Sequence, residues 1–198
     1  YGYDNLGRVY QEDSYSEVRR FHVRGVDSVS GRSTLEIVEL DLIGSEPDRA
    51  NYQELDRHGN VVRQLQLVDY SVSPPVYNET LFEYSDPNNP NLLTKQTDPN
   101  LTVTQWTYTA NGNLKTMTDK DGNVTTYVYA EEIDVPLNPK HRNLIREIHR
   151  PQVTVNGSPV NYDPTVFEYD TNGNLVKVID AAGKETVMTY TADGLVET

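Results

Sequence analysis

Four histidines, His22, His58, His141 and His149, are the first candidates for proton transfer or metal binding in this chain. No two stand at a spacing that would bring both imidazoles to one helix face, and a histidine acts as a base only when a partner orients it. His22 and His149 read as strand residues, His58 as a turn residue and His141 as a loop residue. The run Asp119-Lys120-Asp121-Gly122-Asn123 begins like a calcium loop. An EF-hand would need a further ligand before the glycine and a glutamate at its twelfth position, where Ala130 stands. The competing reading is a hairpin turn in which Asp119 accepts backbone N–H bonds. Asp180 holds the same place before Ala181-Ala182-Gly183-Lys184 with no second carboxylate, which favours the turn.

Glu131-Glu132 and Glu12-Asp13 are adjacent acids, but acid–base catalysis needs one carboxyl raised by an apolar pocket. Nothing around them supplies one. There is no G-x-S-x-G elbow and no G-x-x-x-x-G-K phosphate loop. The chain has no cysteine, which removes thiol nucleophiles, disulfides and cysteine-based zinc sites. The expectation is therefore no catalytic residue, no cofactor-binding residue and no metal ligand. Aromatic residues could stack on sugar rings, yet cross-strand packing explains their regular placing better. The sequons at Asn78, Asn100, Asn123 and Asn156 are what chance gives in a chain rich in Asn and Thr, and matter only in a secreted eukaryotic protein.

The elements that must position these residues are short and repeated. From Thr104 to Tyr129 the sequence reads strand, turn, strand, turn, strand. TQWTYT and NLKTMT alternate in period 2, Ala110-Asn111-Gly112 and Lys120-Asp121-Gly122 are turns, and NVTTYVY closes the unit. An aromatic-x-Tyr doublet recurs at Tyr1/Tyr3, Phe82/Tyr84, Trp106/Tyr108, Tyr127/Tyr129 and Phe167/Tyr169, with Met188/Tyr190 as a variant. Glycine follows four residues later at Gly7, Gly112, Gly173 and Gly194, and Asp119 and Asp180 share one further offset. A short fixed period means that each unit must stack on its neighbours to bury a face.

Between these units the register loosens. Glu17–Arg24 is an imperfect strand and Gly25–Ser33 a loop. Thr34–Ile43 shifts phase once between Ile37 and Val38, as a β-bulge would, although Leu35, Val38 and Leu42 could also share a helix face. Gly44–Ala50, with Pro47, reads as a loop. Leu55–Val61 restores the repeat, Ser73-Pro74-Pro75 breaks it, and the turn after Tyr84 is swollen by DPNNPN. Asp98-Pro99-Asn100 takes the place of a second turn. Glu131–Arg142 is an insertion loop, Asn143–Arg150 a strand and Asn156-Gly157 a hairpin turn. The reading is a single array over 1–198, irregular or inserted at about 10–54, 71–80 and 130–160.

The chain is 198 residues long with a formal net charge of −13. That field repels phosphate backbones and anionic bilayers, and Arg19-Arg20 with Arg24 is its densest basic spot. Nucleic acid is therefore not an expected partner. No apolar run is long enough to span a membrane as a helix. The chain starts and stops on repeat anchors, so it reads as an excerpt of a longer array. Open terminal strands would expose unpaired N–H and C=O groups, so the expectation is a monomer or association through those edges.

The signature Tyr-Asp-x-x-Gly-Arg/Asn-Leu/Val stands here as YDNLGRV at Tyr3 and YDTNGNL at Tyr169, with YTANGNL at Tyr108 and LDRHGNV at Leu55. It resembles the YD-repeat, or Rhs-repeat, family of bacterial Rhs proteins, toxin-complex shell proteins and teneurin ectodomains. The resemblance implies an all-β fold of antiparallel hairpins forming one curved, open, spiralling sheet. It implies a non-catalytic structural role as part of a β-shell around a C-terminal effector, or as a surface scaffold, in a secreted or cell-surface bacterial protein. The partners implied are the rest of a longer chain and an enclosed effector. The alternative is an adhesion module binding glycan or protein. Asp-Pro occurs at Asp86, Asp98 and Asp163, never with the glycine two places on that marks the family's self-cleaving segment, so no autoproteolytic residue carries over.

Overall fold

The structure is a computed structural model that describes residues 2–3, 9–13, 18–26, 33–41, 47–69, 72, 76–156, 158–160, 162–191 and 193–197, those up to 51 by backbone alone. The anchor Tyr1, the first turn at 4–8 and Ser73-Pro74-Pro75 lie outside the described residues. The chain divides into two compact units, Tyr1–Val103 and Thr104–Thr198.

The first unit is an antiparallel meander in chain order: β1 (Gly2–Tyr3), β2 (Val9–Asp13), β3 (Val18–Val26), β4 (Ser33–Asp41), β5 (Pro47–Leu55), β6 (Val61–Asp69), β7 (Val76–Glu83) and β8 (Lys95–Thr97). The stretch 10–54, where the repeat register is lost, thus holds long ladders. Thr34–Ile43 forms a strand, not a helix, and β3 pairs with β4 in unbroken register from Val18↔Asp41 to Val26↔Ser33. The irregularity falls elsewhere than the side-chain phase suggests. It lies between Glu39↔Arg49 and Leu40↔Pro47, so the extra residue sits on β5. Pro47, read as a loop residue, instead opens that strand, where its missing N–H costs least.

After β9 (Val103–Tyr108), whose first residue closes the first unit, the second unit continues with β10 (Leu114–Thr118), β11 (Val124–Tyr129), a helical turn α1 (Ala130–Ile133), a 3-10 turn Pro139–His141, and β12 (Ile145–His149). A separate hairpin, β13 (Val153–Val155) with β14 (Ser158–Val160), intervenes before β15 (Thr165–Tyr169), β16 (Leu175–Ile179) and β17 (Glu185–Val187). β15 pairs directly with β12, so the hairpin is an excursion from the ladder. The insertion read at Glu131–Arg142 is not a plain loop, since it carries both helical turns. Both units are antiparallel hairpin arrays, as the sequence predicts.

Burial is shallow. Among the described residues the buried apolar side chains are Tyr129 and Ala130, and the buried polar ones are Glu54 and His141. Most strand side chains are half-buried instead, including Trp106, Tyr108, Phe167 and Tyr169. Aromatic and aliphatic residues meet as cross-strand pairs: Trp106↔Met117, Tyr127↔Ile148 and Phe167↔Val178.

The turns share one geometry. In each, the N–H of the first residue donates to the carbonyl of the fifth, and the N–H of the fourth donates back to the carbonyl of the first. This holds at 56–60, 98–102, 109–113, 119–123, 170–174, 180–184 and 191–195, with distances of 2.8–3.1 Å. The fourth residue always has positive φ: Gly59, Leu101, Gly112, Gly122, Gly173, Gly183 and Gly194. Asp98-Pro99-Asn100 is therefore not a substitute for the second turn but the same turn, with Leu101 at φ 67° in the glycine place.

Leu101 is 80% exposed, so its side chain gains little from burial while its backbone is strained. Leu101→Gly should stabilise the chain by about 0.5–1 kcal/mol, the relief of strain less the entropy of glycine. Gly122→Ala, with open space around the added Cβ, should cost about 1 kcal/mol from φ alone. Gly173→Ala should cost more, because its Cβ would lie 3.2 Å from the Lys140 carbonyl oxygen. Urea midpoints of the three variants check this order.

Candidate functional site

Side chains lock each turn. Asp170 Oδ1 accepts from the backbone N–H of Asn172 at 2.8 Å and of Asn174 at 2.9 Å, and its Oδ2 accepts from the Asn174 side chain at 2.9 Å. Asp56 does the same with His58 and Asn60, and Asp119 with Asp121 and Asn123. Asp180 accepts from Ala182 and Lys184. Thr109 and Thr191 replace the carboxylate with a hydroxyl that takes the N–H four residues on, at 3.1 Å in each case. Asp119 is thus a turn acceptor, as the hairpin reading requires. The Asp of the Tyr-Asp signature has the same task, which sequence reasoning did not assign.

These bonds favour the charged carboxylates. The Asn174 N–H and then its side-chain amide hold Asp170 below the ordinary aspartate range. For Asp119 the Asn123 amide leads, and for Asp86 the Asn89 amide. At Asp56 burial pushes upward, but the bonds from Asn60 and His58 outweigh it.

The tyrosines of the doublets form a second series. Tyr129 Oη donates to the Leu114 carbonyl, Tyr169 Oη to that of Ile145 and Tyr190 Oη to that of Leu175, each at 2.8 Å. Each acceptor is the first residue of β10, β12 or β16. Their polar tips are therefore bonded, where packing alone would have left them wet. Ladder register also slips by one residue beside this position, at Glu54/Leu55, Val128/Tyr129 and Glu168/Tyr169 and beside Tyr108 at Leu114/Thr116. In every case the extra residue lies on the partner strand: Val62, Arg146, Val176 or Lys115.

The insertion occupies the place of a turn. Its ends close as a turn does, with the Ala130 N–H on the Leu144 carbonyl at 2.9 Å. It is then tied to turns on either side. Glu131 accepts from Asn111 and from the Asn143 N–H, Asn113 donates to Asn143, and Glu132 pairs with Lys115 at 2.7 Å. Towards 170–174, Asn138 donates to the Thr171 carbonyl, Lys140 to Asn172, and His141 Nε2 lies 2.7 Å from the Asp170 carbonyl. His141, read as a loop residue, is in fact a buried wedge between Asp134, 3.5 Å from its Nδ1, and the Tyr169 ring at 6.0 Å.

The remaining candidates are dispersed. His22 lies on β3, and Glu12 and Asp13 on β2. His149 ends β12 and pairs with Glu147 at 2.7 Å. Glu131 and Glu132 face different partners, and the Lys115 ammonium holds Glu132 below the usual range. The nearest approach to a catalytic group is a cleft of about 650 Å3 lined by Asp56, His58, Tyr84, Ser85 and Asp86. His58 Nδ1 is 3.7 Å from Asp56, and Ser85 Oγ lies 3.0 Å from Thr94 Oγ1. Burial raises the Tyr84 phenol, which keeps it neutral. Among the described residues no cluster of three or more His, Cys, Asp or Glu is placed to hold a metal ion. No helix among them is long and apolar enough to cross a membrane.

Comparison with known proteins gives a match to the RHS Repeat family model at residues 86–124 and 169–198. The two segments contain six of the seven turns described above; the turn at 56–60 lies outside them. No curated protein matches the chain significantly. Among solved structures, a crystal structure titled TcdB2-TccC3-Cdc42 aligns with 14% identity over 96% of this chain and 12% of its own, at a TM-score of 0.37. A Photorhabdus luminescens Tc holotoxin pore aligns with 12% identity over 98% of this chain and 14% of its own, at a TM-score of 0.33. The chain therefore spans about an eighth of the first of these structures.

Two outcomes test the turn and tyrosine bonds. Tyr169→Phe removes one hydroxyl bond and should cost about 1 kcal/mol in urea unfolding. The lowered turn aspartates bind protons more weakly folded than unfolded, so the stability they give is full above the unfolded value. It should fall once the pH drops below about 4 and go on falling through the folded values. Asp170→Ala should lower the neutral-pH midpoint and flatten that acid limb; an unchanged limb would refute the assignment.

Proposed function

We propose that this chain, which carries RHS repeats, is a non-catalytic structural segment of a larger repeat protein. In this reading both units belong to one array and form part of the wall of a β-shell. The shell encloses a C-terminal effector, or the array serves as a surface scaffold, in a secreted or cell-surface bacterial protein. The observation that carries the reading is the use of polar side chains. Asp56, Asp119, Asp170, Asp180 and Glu131 face turn N–H groups or neighbouring turns, and Glu132 pairs with Lys115 on β10. Groups spent on holding hairpins are not free to exchange protons with a substrate.

A wall segment has a consequence for the parent protein. Limited proteolysis of the full-length parent should leave its C-terminal domain intact under native conditions, and release it to digestion once the array is loosened by denaturant. Digestion of that domain at the rate of the isolated domain would exclude enclosure and leave the scaffold role.

A further inference from the structure

One cleft of the second unit has no part in the turn scheme. It holds about 540 Å3 between β11, β12 and the β13–β14 hairpin. Its floor is the cross-strand pair Tyr127↔Ile148, with Thr125 and Arg150 two residues along the same strands. Its wall is Pro151, Val153 and Tyr162. Arg150 and Pro151 also border a more polar cleft of about 350 Å3, with Asn123, His149 and Gln152.

Three observations bear on what fits there. The lining is apolar and partly open, with Val153 at 36% and Tyr162 at 48% exposure. Arg150 is the charged residue of that lining and is exposed, and its guanidinium has neither a hydrogen bond nor an ion pair among the described residues. A chain of net charge −13 offers acids in plenty, so an arginine left unpaired beside tyrosines is a binding group for an incoming anion. Lastly, among the described residues β13 and β14 pair only with each other. Pro159 interrupts the donors of β14, which leaves β13 as the edge able to accept a strand.

We infer that this cleft docks an extended acidic–apolar segment of another protein, added along β13 with its carboxylate on Arg150. Side chains two apart on a strand share a face about 7 Å apart, so the segment carries an apolar residue two places from the acid. The apolar residue lies over Tyr127 and Ile148 and against Tyr162.

The probe is the blocked, fluorescein-labelled heptapeptide TLTETLT, with TLTKTLT as control, read by anisotropy on the full chain. The glutamate peptide should bind at least tenfold tighter than the lysine peptide, against the net charge of the protein, and should weaken as salt rises. Arg150→Glu, an exposed change that should leave the circular dichroism β spectrum intact, should invert the preference. Tyr162→Ser should weaken the glutamate peptide severalfold, while Arg142→Glu, an exposed change before the opposite end of β12, should leave it unchanged. Equal binding of both peptides, or no inversion by Arg150→Glu, overturns the inference. So does Arg150-dependent binding of 3′-sialyllactose without the peptide, or Arg150-dependent dimerisation in sedimentation, since each assigns the cleft to a different occupant.

Discussion

The bond on which six of the seven corners depend is the one from a turn's backbone N–H groups to the side chain at its first position; at 98–102 Asn100 takes the Thr102 N–H instead. Few side chains are buried among the described residues, so those strands gain little from apolar burial, which in ordinary domains dominates stability. Their ladders must therefore be kept in register by something local. Asp56, Asp119, Asp170 and Asp180 do so by accepting N–H bonds from the second and fourth residues beyond them, fixing the positive-φ residue between. Threonine at 109 and 191 keeps one of the two bonds and the same backbone geometry. The path of the chain is thus set at its corners, and strand composition is free to vary between them.

The tyrosine hydroxyls solve a second problem. The bulges beside Leu55, Tyr108, Tyr129 and Tyr169 each place one unpaired residue on the strand leaving the corner, and bulges locally loosen a ladder. Tyr129, Tyr169 and Tyr190 bond the carbonyl that opens the neighbouring strand, at the level where Tyr129 and Tyr169 meet a register slip. An aromatic body over the half-buried face and a hydroxyl on the backbone are both needed, which phenylalanine or leucine cannot supply. Leu55 stands in the tyrosine place beside its own slip, and there the corner is carried by Asp56 with two bonds to Asn60.

What could be read from the sequence follows from which forces are local. Period-2 alternation and glycine corners depend on neighbours in the chain, so the hairpins from Thr104 to Tyr129 and from Phe167 to Tyr190 were legible residue by residue. The role of Asp119 was legible because an aspartate two or four residues from a donor has few other options. Leu101 was not, because nothing in Asp98-Pro99-Asn100-Leu101 announces a left-handed residue; the turn's own backbone bonds, Leu101 N–H to the Asp98 carbonyl and Asp98 N–H to the Thr102 carbonyl, hold it there. The bulge near Thr34–Ile43 was sensed but misplaced, since side-chain phase reports one strand while register is a property of two. His141 was missed because its partners, Asp134, Tyr169 and Asp170, are distant in sequence or lie within the insertion itself.

The insertion shows how such an array admits extra chain without losing step. It opens after Tyr129 and closes with the Ala130 to Leu144 bond, the same closure that a five-residue turn makes between its first and fifth residues. The ladder on either side therefore feels a turn of ordinary width. Between these ends, side chains bond to the neighbouring turns, with Glu131 and Asn143 on one side and Asn138, Lys140 and His141 on the other. Gly173 has a second reason to lack a Cβ here, since the Lys140 carbonyl approaches it closely, whereas Gly122 and Gly183 have free space. A repeat built this way can be decorated at any corner whose closing bond survives. The ladder constrains the closure and leaves the length and content of the corner open, which is why the signature residues recur even where an insertion changes the spacing between units.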